Sequence, residues 1–130
     1  MGKVLVTGGA GFIGSAMVRQ LLLSGYKVRA FDLADQFDVN KLPEEAEIYK
    51  GSILDTNDLT NAVNGCDYVI HLAAMLGVRK TDTKRLEALA INIQGTVNVL
   101  ECCARDNVKK IVFSSSSEVY GEQPKNPISE

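Results

Sequence analysis

The stretch Val4-Leu5-Val6-Thr7-Gly8-Gly9-Ala10-Gly11-Phe12-Ile13-Gly14 decides the fold of this chain. It passes from a β-branched apolar run through a glycine-rich turn into an amphipathic run that extends to Ser24, which predicts a strand, a tight turn and a helix. Glycines spaced three apart in this context permit a sharp turn, a close approach of backbone to a pyrophosphate, and close packing of helix on strand. The helix N-terminus adds unpaired N–H groups, so the stretch predicts the phosphate-binding loop of a dinucleotide site.

An acidic residue follows the glycine loop at the distance such a site requires. Asp32 stands at the end of the second predicted strand, Lys27–Phe31, and lies 18 residues after Gly14. A carboxylate there accepts hydrogen bonds from the adenosine ribose hydroxyls and repels a 2′-phosphate, which predicts NAD rather than NADP as the cofactor. Arg29 lies within the strand, before Asp32, and is poorly placed to bind a 2′-phosphate. The alternative interpretation is a structural glycine turn followed by a solvent-exposed aspartate.

The rest of the chain alternates strands and helices. Further strands are predicted at Glu47–Lys50, Asp67–Leu72 and Lys109–Phe113, and further helices at Asp55–Asn64 and Thr83–Asp106. Repeated strand–helix–strand units with short links favour parallel pairing and right-handed crossovers. The expected fold class is therefore α/β, with a doubly wound parallel sheet.

Three of the strands, around Val4, Val69 and Ile111, are nearly continuous apolar runs. Strands covered by helices on both faces have this composition, so these three are expected to be buried on both sides. The polar stretch Ala34–Glu45 contains Pro43 and is predicted to be an irregular link with room for a helical turn.

The helix predicted over Thr83–Asp106 carries two apolar stripes. The stripe expected to form the core contact comprises Leu86, Leu89, Ala90, Ile93, Val97 and Leu100. A second stripe beside it comprises Ala88, Ile91, Val99 and Cys102. A helix that is apolar on two sides needs two partners, here the sheet and either another subunit or a further part of the same chain.

Composition excludes several classes of protein. The 130 residues include 14 Lys+Arg, 16 Asp+Glu and 45% apolar residues, which is ordinary for a soluble globular chain and predicts one domain over residues 1–130. The balanced charge argues against nucleic acid as the main partner. The lack of a long apolar run or a leader pattern predicts a cytoplasmic chain with no membrane contact. Cys66, Cys102 and Cys103 lack metal-ligand spacing, so they are expected to be free buried thiols and no metal site is expected.

Four motifs occur in order along the chain: the glycine loop at 7–14, His71-Leu72-Ala73-Ala74, Asn92-Ile93-Gln94-Gly95-Thr96, and Ser114-Ser115-Ser116-Ser117-Glu118-Val119-Tyr120-Gly121. Together they resemble the extended short-chain dehydrogenase/reductases, in particular the NAD-dependent epimerase/dehydratase group that includes the UDP-glucose 4-epimerases. The resemblance covers essentially the whole chain. It implies a Rossmann sheet of order 3-2-1-4-5, NAD as cofactor, a nucleotide-sugar substrate and a homodimer formed through the helix at 83–106. It further implies that the chain is the N-terminal part of a longer enzyme with a separate substrate domain.

The resemblance also implies which residues surround the cofactor. The pyrophosphate would be held by Gly8, Gly11, Phe12, Ile13 and Gly14. The adenosine ribose would be held by Asp32 and Leu33. Ser52 stands where the family usually has an aspartate that contacts adenine, and Ile53 would pack on the ring. The remaining cofactor contacts would come from Leu72, Ala73, Ala74, Asn92 and Ser114.

The serine run after the fifth strand would carry the chemistry that the resemblance implies. Ser116 corresponds to the serine that hydrogen-bonds the reacting sugar hydroxyl, while a tyrosine takes the hydroxyl proton and hydride passes to NAD. The family's Tyr-x-x-x-Lys pair is absent, because Tyr120 is followed four residues later by Pro124 and the pair would fall beyond Glu130. No turnover is therefore expected of these 130 residues alone. Glu118 corresponds to an acid typical of uronic-acid decarboxylases and hexose 4,6-dehydratases, with a structural loop carboxylate as the alternative.

His71, the basic stretch from Arg79 to Arg85 and the function as a whole each allow more than one interpretation. His71 is the only histidine and is expected to be structural, since it stands at a strand end. The basic residues from Arg79 to Arg85 are expected to form a solvated helix entry, with a contact to a substrate phosphate as the alternative. A stand-alone NAD-binding module without catalysis is the rival to the enzyme interpretation.

Overall fold

The computed structural model describes residues 1–38 and 42–122. Its parallel strands are β1 (Lys3–Thr7), β2 (Lys27–Asp32), β3 (Glu47–Lys50), β4 (Tyr68–His71) and β5 (Lys110–Phe113). They form one sheet of order β3-β2-β1-β4-β5, which confirms both the predicted α/β class and the predicted strand order. Residues 39–41 of the predicted link lie outside the described residues, as do Pro124 and the rest of the chain end.

The helices are α1 (Phe12–Leu23), α2 (Thr56–Val63), α3 (Val78–Thr83), α4 (Arg85–Leu89) and α5 (Thr96–Arg105). A π-helical segment, Ala90–Gly95, joins α4 to α5. Short 3-10 helices occupy Ala34–Asp38, within the predicted link, and Ser117–Tyr120. In the part of the chain that the structure describes, no helix is both long enough and apolar enough to cross a membrane.

The core consists of two apolar layers, one on each face of the sheet. Successive side chains of a strand point to opposite faces, so Leu5 belongs to one layer while Val4 and Val6 belong to the other. The first layer packs under α2 and α5, and its fully buried members include Leu5, Phe31, Leu59, Val69 and Val99. The second layer packs under α1 and includes Val4, Val6, Val18, Val28 and Ala30. The three cysteines are free and buried, as predicted.

The prediction of one uninterrupted helix over residues 83–106 is wrong in detail. Helix α3 is separate, and the following helical stretch from Arg85 to Arg105 is interrupted by the π-helical segment. A π turn inserts an additional residue into the hydrogen-bonding pattern, and apolar spacing of three and four residues does not reveal it. Gly95 ends this segment where a Cβ would lie 2.5 Å from Cδ1 of Ile53, so the glycine permits a close approach.

The stripe expected to contact the core is instead exposed, which is a second correction. Leu86 is 83% exposed and Ile93 59%, and the other large side chains of that stripe are exposed as well. The second stripe faces the sheet instead: Val99 and Cys102 belong to the core layer of Leu5, Phe31 and Val69. Ala88, in the same stripe, is also buried. Both stripes are apolar, so periodicity could not distinguish them.

The composition of strand β5 predicted burial on both faces, and the structure contradicts this. Ile111 is half-buried, but Val112 and Phe113 are 52% and 54% exposed. The strand pairs with β4 at one edge of the sheet. Its apolar composition therefore provides exposed surface here rather than core.

Candidate functional site

A cleft of about 390 Å³ opens at the carboxyl ends of the strands. Its walls include the residues that directly follow or end β1, β2, β3 and β4, namely Gly8, Asp32, Gly51 and Leu72. The strand order reverses direction between β1 and β4, and open α/β sheets bind ligands in the crevice at such a switch point. The position of the cleft is therefore that of a ligand site in a doubly wound fold.

The cleft brings together nine of the residues that the sequence predicted for cofactor binding. They are Gly8, Gly11, Asp32, Leu33, Ser52, Ile53, Leu72, Ala73 and Ala74. Sequence reasoning missed other wall residues, among them Phe31, Gln36, Met75, Leu76, Glu87 and Ile91. Met75 and Leu76 directly continue a recognised motif and could have been found by extending it. Gln36 and Glu87 belong to none of the motifs.

The glycine loop is packed too closely for side chains at two of its positions. Gly8 has a φ of +71°, and a Cβ there would lie 2.8 Å from the backbone nitrogen of Ala73. A Cβ on Gly14 would overlap the carbonyl oxygen of Gly8. The loop closes on itself through a hydrogen bond from the Gly11 N–H to the Gly8 carbonyl oxygen at 3.1 Å. These close approaches are those expected where backbone must reach a phosphate.

Helix α1 begins without a side-chain cap at its N-cap residue, Gly11, and has no acidic residue in its first turn. The first N–H groups of a helix have no intrahelical acceptor, and they carry the positive end of the helix dipole. Phe12 and Ile13 are 91% and 62% exposed and do not line the cleft, so only their backbone could serve the predicted role. The backbone N–H groups at the start of α1 can therefore bind an anion, because no N-cap side chain accepts hydrogen bonds from them.

The carboxylate of Asp32 holds the loop and the start of the next segment. Its Oδ2 atom accepts a hydrogen bond from the Ala10 N–H at 3.0 Å, and its Oδ1 atom accepts one from the Leu33 N–H at 2.9 Å. Burial, with a smaller contribution from the Asp35 charge, raises the pKa of Asp32 above its usual value, while the backbone N–H groups of Leu33, Ala10 and Gly11 oppose that rise. Each carboxylate oxygen can accept a second hydrogen bond, so the group retains acceptor capacity toward the cleft.

Arg29, which the sequence analysis placed poorly for a 2′-phosphate, makes its contacts at the end of α2 and with β3. Its guanidinium donates to the carbonyl oxygens of Asn61 and Asn64 at the end of α2, at 3.1 and 3.0 Å. It also forms an ion pair with Glu47 at 2.8 Å. These contacts cap the negative end of a helix and link it to the sheet, and none of them lies at the cleft.

The turn after β3 is held by a carboxylate that sequence reasoning did not single out. Asp58, on α2, accepts a hydrogen bond from the Ser52 N–H at 3.1 Å, and a Cβ on Gly51 would lie 2.7 Å from the same carboxylate. The Ser52 hydroxyl oxygen accepts a hydrogen bond from the Leu54 N–H at 3.2 Å. The hydroxyl hydrogen of Ser52 is therefore the polar group that this position offers beside Ile53 in the cleft wall.

A buried histidine lies behind the cleft. His71 is 3% exposed, and burial lowers the pKa of its imidazole. Its Nδ1 atom lies 2.6 Å from Oγ1 of Thr7, its register partner on β1, and its Nε2 atom lies 3.1 Å from Oγ1 of Thr96. Its ring stands 5.8 Å from that of Phe113, its partner on β5. The histidine is thus enclosed by β1, β5 and α5.

The remaining predicted cofactor residues contact protein groups next to the cleft. The side chain of Asn92 accepts a hydrogen bond from the Met75 N–H at 2.7 Å and donates one to the Met75 carbonyl oxygen at 3.2 Å. Ser114 is exposed, and its N–H donates to the His71 carbonyl oxygen at 3.3 Å. Asn92 thus fixes backbone of the cleft wall, whereas Ser114 continues the pairing of β5 with β4.

The two predicted catalytic residues do not line the cleft. Ser116 and Glu118 are exposed on the segment that follows β5. The Ser116 hydroxyl oxygen accepts a hydrogen bond from the Glu118 N–H at 3.2 Å and so caps the short 3-10 helix. Their catalytic role therefore stays a prediction from the motif.

The sequence model described as "NAD dependent epimerase/dehydratase family" matches residues 4–130. The chain belongs to this family. Among curated proteins, it is 40% identical over 126 residues to a UDP-N-acetyl-alpha-D-glucosaminuronate decarboxylase of Bacillus cytotoxicus, covering 92% of this chain and 38% of that protein. It is also 40% identical over 139 residues to a UDP-glucose 4-epimerase of Neisseria meningitidis serogroup C, covering 100% of this chain and 41% of that protein.

A solved structure has the same fold. The UDP-glucose 4-epimerase of Thermus thermophilus, in complex with NAD, superposes with a TM-score of 0.85 at 31% identity, covering 98% of this chain and 42% of that one. The chain thus spans about two-fifths of the length of these relatives. The superposition with the Thermus structure extends over nearly all of this chain, and so includes its sheet.

Proposed function

We propose that residues 1–130 are the NAD-binding N-terminal part of a nucleotide-sugar epimerase or dehydratase. The observation that carries the proposal is the position of Asp32, whose carboxylate contacts the glycine loop and lines the cleft at the end of β2. Membership of the family and the NAD complex of the related Thermus epimerase support it.

The residues present fit a dinucleotide. The uncapped start of α1 and the glycines Gly8 and Gly11 would hold the pyrophosphate, because they offer N–H groups and an approach without side chains. Asp32 would accept hydrogen bonds from the ribose hydroxyls, and Leu33 and Ile53 would provide apolar contact to the adenosine. When bound, NAD supplies a hydride acceptor, so a sugar hydroxyl can be oxidised transiently to a ketone.

The substrate chemistry would involve groups beyond those of the cleft. Ser116 would hydrogen-bond the reacting hydroxyl, and a Tyr-x-x-x-Lys pair would remove its proton. That pair does not occur in the 130 residues, so we expect the chain by itself to bind NAD without turning over a nucleotide sugar. The same expectation would hold for a non-catalytic NAD-binding module. The downstream sequence separates the two, because only the enzyme requires the pair.

A decarboxylase of a nucleotide-linked uronic acid is the second candidate. Glu118 follows the serine run at the position of an acid in such enzymes, and the Bacillus relative carries that name. Within the longer protein, Glu118→Gln would distinguish a 4-epimerase from a decarboxylase or a dehydratase. A decarboxylase or dehydratase would lose the step after oxidation while still reducing NAD, whereas a 4-epimerase would keep both steps.

We further propose a cytoplasmic homodimer formed through α4 and α5. The helical stretch from Arg85 to Arg105 exposes five large apolar side chains at helical spacing, and exposed apolar surface of this kind marks an interface; they are Leu86, Leu89, Ile93, Val97 and Leu100. Three free thiols are typical of a reducing compartment.

The proposal is tested by calorimetric titration of the chain with NAD and NADP. Wild type is expected to bind NAD at least about tenfold more tightly, since a 2′-phosphate would face the Asp32 carboxylate. Asp32→Ala should weaken NAD binding and remove most of the preference. Glu101→Ala, which removes an exposed carboxylate on α5, is the matched control and should change neither affinity. Equal affinities for NAD and NADP in wild type would contradict the proposal.

A further inference from the structure

A continuous chain of hydrogen bonds runs behind the cleft from β1 to the π-helical segment. The Thr7 hydroxyl contacts Nδ1 of His71, and Nε2 of His71 contacts the Thr96 hydroxyl. The Thr96 hydroxyl in turn donates to the Asn92 carbonyl oxygen at 2.8 Å. We call the side chains of Thr7, His71 and Thr96 the histidine bridge.

The hydrogens of the bridge can be arranged in only one complete way. The Thr96 hydroxyl donates its hydrogen to the Asn92 carbonyl oxygen. Its oxygen can therefore only accept a hydrogen bond from the ring, so Nε2 of His71 must carry a hydrogen. The Thr7 oxygen accepts from the N–H groups of Leu72 and Ala73, each at 3.3 Å, so its hydrogen is free to be donated to Nδ1. The ring is then neutral with its hydrogen on Nε2.

Both ends of one cleft wall depend on this bridge. The Ala73 N–H is held by the Thr7 hydroxyl, and Ala73 is the residue against which Gly8 packs. At the other end, Met75 is held by the side chain of Asn92, one helical turn before Thr96. His71 joins the two attachments, one on β1 and one on the helix, because its ring spans the space between them.

We propose that His71 is a positioning residue, held neutral with its hydrogen on Nε2, which braces the cleft wall from Leu72 to Met75 in the shape that the dinucleotide requires. The inference rests on the proposed NAD binding for its functional part. It goes beyond that proposal by assigning a role to a buried group that does not touch the cofactor cleft.

A protonated ring would break the arrangement. With hydrogens on both nitrogens, Nδ1 would donate to a Thr7 oxygen that already accepts two N–H groups, and the Thr7 hydrogen would lose its acceptor. Within residues 1–38 and 42–122, the groups shown in contact with the ring are Thr7 of β1, Thr96 of α5 and Phe113 of β5, and none of these three is charged. Nδ1–H would then compete with the Ala73 N–H for the Thr7 hydroxyl oxygen, whereas the Leu72 N–H keeps the Thr7 carbonyl oxygen at 3.1 Å as an acceptor. We expect the weakened hold on Ala73 to lower the affinity for NAD.

The first test is spectroscopic and uses the wild-type chain without cofactor. Because His71 is the only histidine, its two ring nitrogens give the only imidazole signals in a nitrogen-15 spectrum. The proposal expects a hydrogen on Nε2 and an unprotonated Nδ1 from pH 7 to pH 8. A hydrogen on Nδ1, or a ring that is already charged at pH 7, would overturn it.

The second test removes one hydroxyl without changing the size of the side chain. Thr96→Val should speed amide exchange at Ala73 and Met75 and weaken NAD binding about fivefold to tenfold, the effect of losing a buried hydrogen bond. Thr96→Ser keeps the hydroxyl and should restore both values. Wild-type affinity for NAD should also fall as the pH passes down through the titration of His71, and Thr96→Ser should keep this dependence.

The outcomes separate this inference from the function on which it rests. If wild type shows the expected ring hydrogen and exchange pattern but does not bind NAD at any pH, the proposed function fails, and so does the claim that the bridge shapes an NAD site. If wild type binds NAD and Thr96→Val binds it equally well with unchanged exchange at Ala73, the bridge is not a positioning device and NAD binding stands.

Discussion

The Oδ2 atom of Asp32 accepts a hydrogen bond from the backbone N–H of Ala10 at 3.0 Å. The carboxylate assigned to ribose recognition therefore also ties the end of β2 to the middle of the glycine loop. A second bond, from the Leu33 N–H to Oδ1, fixes the direction in which the carboxylate points. One side chain thus couples two parts of the cleft that are 22 residues apart along the chain.

This coupling predicts that Asp32 variants loosen the loop even without cofactor. Asp32→Ala removes both acceptors, whereas Asp32→Asn keeps one oxygen and can satisfy only one of the two N–H groups. Amide exchange at Ala10 and Leu33 should therefore be fastest in the alanine variant and intermediate in the asparagine variant. Hydrogen bonds to a charged group are worth about 1.5–3 kcal/mol, so the acceleration in the alanine variant should exceed tenfold. Unchanged exchange at Ala10 in both variants would show that the carboxylate does not hold the loop.

A methyl group at Gly14 is predicted to disrupt the glycine loop and its binding of NAD. The Cβ of Gly14→Ala would overlap the Gly8 carbonyl oxygen, and backbone on both sides leaves little room to adjust. We expect a loss of roughly 1–3 kcal/mol of unfolding free energy and loss of measurable NAD binding in titrations. Gly65→Ala is the matched control: it has a φ of +75° and open space around its Cβ position. It should cost about 1–2 kcal/mol through backbone strain alone and leave the NAD affinity unchanged.

The sheet could be predicted from the sequence because the evidence for it is local. Each strand is a short run that contains β-branched residues, and the glycine loop locates the first strand and helix. The face that the last long helix presents to the sheet could not be predicted, because Leu86 and Ala88 belong to stripes of similar polarity. The structure distinguishes them, since Ala88 is buried whereas Leu86 is exposed.

The cleft was predicted less completely than the fold. Motifs located Asp32 and the glycines, since these types are demanded by phosphate and ribose chemistry. The histidine bridge was not foreseen as a unit, because Thr7 and His71 are 64 residues apart and meet only through the β1–β4 register. The spacing of these residues along the chain does not predict that they are in contact.

The buried cysteines are predicted to be unreactive in the folded chain. Burial raises the pKa of Cys103 to about 12, with a smaller contribution from Cys102, and burial also raises the pKa of Cys66. The thiolate is the reactive form, so labelling by a disulfide reagent at pH 8 should be slow until denaturant is added, when three thiols should react. Ser24→Cys, at an exposed position, should add one thiol that reacts at once. Rapid labelling of a wild-type thiol without denaturant would contradict the burial.

The ion pairs of Glu47 predict part of the acid sensitivity of the fold. Hydrogen bonds from Arg29 and then Lys3 lower the pKa of Glu47 below its usual value of 4.5. Its ionised form is therefore favoured in the folded state, and this stabilisation is present above pH 4.5 and lost as the pH falls through the lower folded pKa. Urea unfolding should show Glu47→Gln less stable than wild type at pH 7, with the difference shrinking below pH 4.5. Glu45→Gln, in the exposed turn before β3, is the control and should follow wild type throughout.

The exposed stripe on α4 and α5 predicts how the chain associates. A fully buried leucine contributes about 1.5–3 kcal/mol, so replacing Leu89 and Leu100 together by glutamate should weaken a dimer by more than tenfold. Both side chains are already exposed, at 54% and 47%, so the unfolding free energy of the separate chain should change little. Sedimentation equilibrium should give twice the mass of one chain for wild type and a single mass for the double variant. Leu23→Glu, at an exposed leucine on α1, should remain dimeric because it lies outside the stripe. A wild-type chain that stays monomeric up to high concentration would mean that this apolar surface is covered by something other than a second copy.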